Sequence, residues 1–472
     1  MTVLAPFLRQ VERHPDRAAI IAADGWTTSF AALDRWARNL AAAYQRAGVA
    51  KHARVLVAVP MTPALYAVLI ALWRLGAVAV FPEPAAGLAG LAHAARTTRP
   101  VAHVGPSWLG PLCHLAPGLT SIGRRLPSTA AEAGGDAVAA VTIDHPALIT
   151  FTSGSTGRPK GILRSHGFLT AQLDALMPLL TGDDDDVDMV SLPMFVLANL
   201  GQGIPSVIPD GPLRRPAGMD AARLRQQMTT HRVSRLLAPP SVCARLAEDG
   251  APLPLRWIGT GGGPVFPNLL RRMGTAAPEA EIVCIYGSTE AEPIAHVAIS
   301  TLNAADWRSI ERGGGLPAGR PVPQIRLRLE NDEIIVTGDL VNKGYLDPSD
   351  DPRSKRRVEG DIWHATGDAG RLDADGRLWL LGRLDGRVGN LFPFAVETAA
   401  LAWPGVEQAA LIGLGGRPTL AVAGQADHGS LWRDLARAAF PDVDVRVIDR
   451  IPLDRRHNAK IDYPTLRRRL QH

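Results

Sequence analysis

Apolar positions recur between residues 30 and 46 at Leu33, Ala37, Leu40 and Tyr44, a spacing that lines one face of an α-helix. Ser29 stands where an N-cap is needed and Gly48 lies just past the last turn. The pattern then changes period. Arg54 to Val59 predicts a buried strand, Pro63 to Leu75 the next helix, and Ala77 to Phe81 the next strand. That β-α-β rhythm predicts a parallel sheet with helices on its faces. Residues 116–141 are rich in Gly, Ala, Pro and Ser and predict a surface connection. Arg371 to Leu381 predicts a hairpin turning at Asp375-Gly376. The character of the chain changes again near residue 382, where short helices and strands take over. The expected class is α/β. A large N-terminal domain (1–382) of parallel-rich sheets flanked by helices is followed by a small, mobile α+β domain (388–472), joined through residues 383–387.

Composition narrows this picture. A chain of 472 residues exceeds one ordinary core, so two or three domains are expected. Hydrophobic residues at 46% and charged residues at 21% place it with globular rather than disordered chains. The formal charge of +5 suits anionic ligands, but the basic residues are scattered apart from Arg467 to Arg469, which reads as a solvated helix end. No basic stripe with aromatic platforms is present, so a nucleic-acid partner is not expected. Cys113, Cys243 and Cys284 have neither disulfide nor zinc spacing, which favours a reducing compartment. Cys284, inside Ile282 to Ile285, reads as a buried strand residue. The uncharged run Val55 to Trp73 contains Pro60 and Pro63, so strand, turn and helix are expected rather than an integral membrane segment. Met1 to Arg9 lacks the features of a signal peptide, and a cytoplasmic enzyme is expected. The acidic run Asp183 to Asp186 is read as a solvated loop.

The chemistry concentrates in a few segments. Thr152-Ser153-Gly154-Ser155-Thr156-Gly157-Arg158-Pro159-Lys160-Gly161 follows the strand-like Ala147 to Phe151. Its glycines let the backbone approach a polyanion, its N–H groups and hydroxyls can donate to phosphate oxygens, and Lys160 adds charge. It is not a P-loop of the G-x-x-x-x-G-K-[ST] type, because no hydroxyl residue follows Lys160. Tyr286-Gly287-Ser288-Thr289-Glu290 offers a flat ring, a hydroxyl and a carboxylate suited to a hard cation. Gly261-Gly262-Gly263 is a tight glycine turn. Thr366-Gly367-Asp368 presents a carboxylate that can accept from a vicinal diol, with Arg383 fifteen residues on. The upstream Thr337 to Asp339 repeats the tripeptide without a following Gly-Arg and is read as structural.

Taken in this order, the segments resemble the adenylate-forming superfamily of acyl-CoA synthetases, peptide-synthetase adenylation domains and luciferases. The resemblance implies ATP and Mg²⁺ as cofactors and a carboxylic acid as substrate. It makes residues 152–157 (Thr152, Ser153, Gly154, Ser155, Thr156 and Gly157) and Lys160 the phosphate loop, and Gly261, Gly262 and Gly263 a wall of the adenine and acyl pocket. It implies that Tyr286 stacks on adenine, Thr289 bonds phosphate, Glu290 holds the metal, Asp368 grips the ribose and Arg383 reaches ribose and phosphate. Asp385 matches the family's hinge. Asn458-Ala459-Lys460-Ile461 resembles the motif whose lysine bridges the substrate carboxylate and the α-phosphate, although Ala459 replaces the usual glycine.

Two stretches depart from the acyl-CoA synthetases. Residues 387–397, ending Leu391-Phe392-Pro393-Phe394-Ala395-Val396-Glu397, are more apolar than the segment that builds a pantetheine tunnel, and Val196 in Pro193-Met194-Phe195-Val196 is neither aromatic nor histidine. Both are similar to the β-lactone synthetases of bacterial olefin pathways, as is the run Tyr286 to Ala295. That resemblance implies attack by a β-hydroxyl in the second step. An acyl-CoA synthetase passing the acyl group to CoA or a carrier-protein thiol is the alternative reading, and a non-catalytic nucleotide-binding regulator is a remote one. Apolar residues from Phe195 to Leu200 are equally compatible with an acyl pocket and with plain core. A medium or long aliphatic acid, including 3-hydroxylated ones, is the expected substrate, and the oligomeric state is open.

Overall fold

The computed structural model describes residues 2–82, 87–109, 122–131, 133–152, 159–213, 215, 218–453 and 461–471. The helix Phe30–Arg46 has the expected bounds. The Ser29 hydroxyl accepts from the Ala32 amide at 3.2 Å, and Leu33, Ala37, Leu40 and Tyr44 are fully buried. Pro63 starts the next helix, Pro63–Arg74, where its missing N–H costs nothing. From Leu65 to Trp73 this helix is buried all round. It shares one core with Val55, Val57 and Ala79 on one side and Val190, Leu237, Val283 and Ile285 on the other. Those residues belong to two different sheets, so the helix lies between them.

Among the described residues the smaller of these sheets has six strands, in the order Arg124–Leu126, Ala102–Val104, Arg54–Val57, Val78–Phe81, Pro146–Thr152 and Lys160–Ser165. All neighbours are parallel until the last pair, which is antiparallel. The larger sheet has fourteen strands among the described residues. Its parallel half runs Ala18–Ile21, Ser206–Val207, Asp188–Val190, Arg235–Ala238, Trp257–Gly261 and Glu281–Ser288. From Ala291–Ala298 onward the pairing is antiparallel. A third sheet, Val406–Leu414, Arg417–Gly424 and Asp444–Val447, packs with the helices Pro393–Ala400, Gly429–Ala439 and Tyr463–Gln471 around two small cores of its own. The α/β class with a smaller α+β C-terminal region is therefore as expected.

Some local expectations needed adjustment. The first strand of the smaller sheet stops at Val57, short of Pro60, which has no N–H to give a ladder. Residues 116–141 hold a strand, Arg124–Leu126, that the Gly/Ala composition hid. In the acidic run, Asp183, Asp184 and Asp185 are exposed, but Asp186 is buried. It accepts from Arg256 at 2.6 Å and from the Ser234 hydroxyl at 2.5 Å. The run is thus anchored by its last carboxylate rather than fully solvated. Cys243 and Cys284 are buried and free, and burial pushes their thiols up to about 11 and about 12. The repeat at Thr337 is structural: its buried hydroxyl donates to the Ile362 carbonyl. Among the described residues no helix is long and apolar enough to cross a membrane.

Candidate active site

The strand Glu281–Ser288 lies where the larger sheet changes from parallel to antiparallel, and it carries the site's central hairpin. Gly261 is its register partner at Ile285. A Cβ on Gly261 would stand 2.3 Å from the Ile285 carbonyl oxygen, so only glycine allows the strands to approach this closely. Gly262, at φ +77°, then turns the chain in the left-handed region, and Gly263 follows with Pro240 3.8 Å from its Cβ position.

Three expected ligand-binding residues meet at the far end of this strand. The Tyr286 hydroxyl donates to Asp368 Oδ2 at 2.8 Å. Arg383 donates to Asp368 Oδ1 at 2.9 Å and to the Thr366 carbonyl at 2.9 Å. Asp368 and Arg383 are cross-strand partners on Asp361–Leu372 and Leu378–Arg383, the hairpin whose turn falls at Gly376 as expected. The Thr366 hydroxyl accepts from the Asp368 amide at 3.0 Å, which fixes the loop over Gly367. Burial, reinforced by the neighbouring Asp368, pushes the Tyr286 hydroxyl well above its ordinary range, so it remains a donor. Each Asp368 oxygen accepts one bond here and retains a second lone pair.

Glu290 sits in the turn between Glu281–Ser288 and Ala291–Ala298, and around it the structure gathers residues that sequence inspection did not single out. The Tyr345 hydroxyl donates to Glu290 Oε1 at 3.0 Å. Lys160 Nζ lies 4.7 Å and Lys355 Nζ 5.1 Å from the centre of the Tyr345 ring, within cation–π range. Lys355 also donates to the Asn342 carbonyl at 2.5 Å and lies 3.2 Å from His364 Nδ1. The Asn342 amide in turn donates to the Glu290 carbonyl at 2.7 Å. Burial lowers Lys355 to about 8, with Glu290 and Asp351 opposing the fall. Burial and then Lys355 lower His364 to about 4, so its ring is neutral near pH 7. Arg164, buried, donates to the Thr289 carbonyl at 2.7 Å and so holds the backbone next to Glu290.

Thr152 and Lys160 are register partners at the end of the smaller sheet, so the two ends of the expected phosphate loop lie side by side. Ser153, Gly154, Ser155, Thr156 and Gly157 lie outside the described residues, as does Lys460. Asp385 lies in the short 3₁₀ turn Leu384–Gly386 that leaves the strand of Arg383. Phe195, Val196, Ala198 and Leu200 are packed into the main core on the helix Pro193–Gln202, which favours core over an acyl-pocket wall at these four positions. Tyr345, Asn342, Lys355 and His364 gave no periodic or motif signal. They converge only because Tyr345 pairs with Ile162 and Val341 with Ala291 across otherwise separate segments.

The profile of the AMP-binding enzyme family matches residues 7–346, more than half of the chain. The chain belongs to that family. It is accordingly an AMP-forming ligase of the adenylate-forming superfamily. Lys160, Tyr286, Glu290 and Tyr345 all fall within the matched span. Over 92% of its length the chain is 30% identical to an olefin β-lactone synthetase of Stenotrophomonas maltophilia (strain K279a), covering 90% of that enzyme. It is equally 30% identical to a feruloyl-CoA synthase of an Amycolatopsis species, over 85% of this chain and 84% of the relative. In fold, this AMP-binding enzyme is similar to ATP-bound MatB from Rhodopseudomonas palustris, with a TM-score of 0.83, 21% identity, and 100% and 99% of the two chains covered.

Proposed function

We propose that this ligase joins a medium or long aliphatic 3-hydroxy acid to AMP, then closes the acyl-adenylate to a β-lactone as the β-hydroxyl attacks the carbonyl and AMP leaves. The observation that carries the proposal is the nearly full-length similarity to an olefin β-lactone synthetase. The apolar segment after Asp385 supports the same second step.

In the first step, a carboxylate oxygen attacks the α-phosphorus of ATP and pyrophosphate leaves. Residues 152–157 and Lys160 hold the phosphates, and Gly261 to Gly263 wall the pocket. Tyr286 lies against adenine, while Asp368 accepts the ribose hydroxyls with its remaining lone pairs and Arg383 steadies that carboxylate. Thr289 donates to phosphate. Lys460 bridges the carboxylate and the α-phosphate, where preorganised charge acts most strongly on the barrier. Among the described residues, no cluster of three or more His, Cys, Asp or Glu side chains is arranged to hold a metal alone. Glu290 fits a magnesium ion whose other ligands are water and substrate phosphates: one of its oxygens is tied to Tyr345, and no described group donates to the other. Magnesium, when bound, neutralises phosphate charge. Residues 1–382 and 388–472 act as the two lobes of the site, turning about 383–387. The buried free thiols are in keeping with a cytoplasmic location.

The feruloyl-CoA synthase relative favours a second reading, transfer of the acyl group to CoA. Mass spectrometry of products from ATP, Mg²⁺ and a 3-hydroxy fatty acid, with and without CoA, separates the two. A β-lactone formed without CoA is expected. A thioester appearing only with CoA would replace the lactone step, and activity confined to aromatic or amino acids would overturn the aliphatic substrate.

A further inference from the structure

We infer that Tyr345 is a positioning residue that sets both the phosphate-side cation and the metal-side carboxylate of this site with one side chain. The inference rests on the proposed MgATP site and concerns a residue given no role above. Its backbone is locked against the phosphate-loop strand. Tyr345 pairs with Ile162, and the Leu346 amide donates to the Gly161 carbonyl at 2.8 Å. A Cβ on Gly161 would come within 2.6 Å of Leu346 Cδ1, so the two segments touch at this glycine. The Tyr345 amide donates to Asp351 Oδ1 at 2.8 Å. From this fixed base the ring faces Lys160 at 4.7 Å, and the hydroxyl reaches Glu290 Oε1 at 3.0 Å.

A tyrosine serving only as core would need one partner for its hydroxyl and an apolar surround. This ring is flanked by two ammonium groups, and its hydroxyl is spent on the one carboxylate assigned to the metal. Without that hydroxyl, Glu290 is drawn to Lys160 and Lys355 and is less available to a cation. Without the ring, Lys160 loses its aromatic rest. The two functions are separable, because the hydroxyl serves Glu290 and the π face serves Lys160.

The test uses the full chain with Tyr345→Phe and Tyr345→Leu. Mn²⁺ binding in the presence of ATP is followed by electron paramagnetic resonance, and ATP binding at saturating Mg²⁺ by calorimetry. Tyr345→Phe is expected to weaken Mn²⁺ binding about tenfold while holding ATP affinity within about twofold. Tyr345→Leu is expected to weaken both by about tenfold. Wild-type Mn²⁺ affinity in Tyr345→Phe overturns the inference, as does wild-type ATP affinity in Tyr345→Leu. Should the leucine variant fail to fold, the phenylalanine variant decides alone. A wild-type chain that binds MgATP but releases no pyrophosphate with any acid would sink the proposed reaction and leave this inference to stand or fall on the variants. A wild-type chain that binds no MgATP overturns both.

Discussion

Glu397 is fully buried on the helix Pro393–Ala400, where Leu411 donates its amide to Oε1 at 3.0 Å. Burial pushes its carboxyl up to about 8, against smaller opposing pulls from Leu411 and the Tyr463 hydroxyl. The folded value lies above the unfolded one, so the folded chain holds this proton more tightly. Its contribution to stability is full below the unfolded value near 4.5 and is lost as pH rises through about 8. Between those limits the loss runs at about 1.4 kcal/mol per pH unit. Glu397→Gln keeps an acceptor for Leu411 and cannot ionise. From about pH 6 to pH 9 its melting temperature is expected to fall less than that of the wild type. Parallel melting curves across that range would show that Glu397 carries no such proton.

At the scale of elements, the hairpin Glu281–Ser288 and Ala291–Ala298 links the two side-chain clusters of the candidate site. It carries Tyr286 at one point and Glu290 at its turn, and it leans on Trp257–Gly261 through the Gly261–Ile285 approach. Gly261→Ala forces a Cβ to within 2.3 Å of a backbone oxygen that has no room to move as a side chain would. The strands must separate, at a cost of about 1–3 kcal/mol typical of overpacking. Urea titration should show a lower midpoint with an unchanged slope, together with weaker ATP binding because Tyr286 moves with its strand. An unmoved midpoint would mean that the two strands are not held this closely in solution.

Across the whole molecule, the expected cycle requires the C-terminal lobe to present Lys460 for the first step and to turn away for the second. Asp385, in the 3₁₀ turn after Arg383, is the place where that turning is proposed. Lys460→Ala should abolish acid-dependent pyrophosphate release. Asp385→Pro fixes one backbone angle at the turn and should spare pyrophosphate release while stopping formation of the final product. Equal loss of both steps in Asp385→Pro would argue against a hinge there, and pyrophosphate release unchanged in Lys460→Ala would remove that lysine from the first step.

Local order was legible because short-range physics sets it. The 3.6-residue period of Leu33, Ala37, Leu40 and Tyr44, the Ser29 cap and the Asp375-Gly376 turn each depend on neighbours within a few residues. The motif segments were legible for the same reason, since a tight glycine turn beside a hydroxyl, a ring or a carboxylate advertises its chemistry in five to ten residues. Asp186 and Tyr345 were not. Each owes its environment to partners dozens to nearly two hundred positions away: Asp186 to Ser234 and Arg256, Tyr345 to Lys160 and Glu290. A periodic pattern tells which side of an element faces inward, but not which strand lies opposite or which carboxylate meets which cation. The sequence alone thus determined the α/β class and the family, and it named the candidate parts of the site. Only the tertiary structure decided that one tyrosine, brought in by strand pairing, stands between the lysine and the glutamate, because burial and electrostatics act through distances in space that chain separation does not encode.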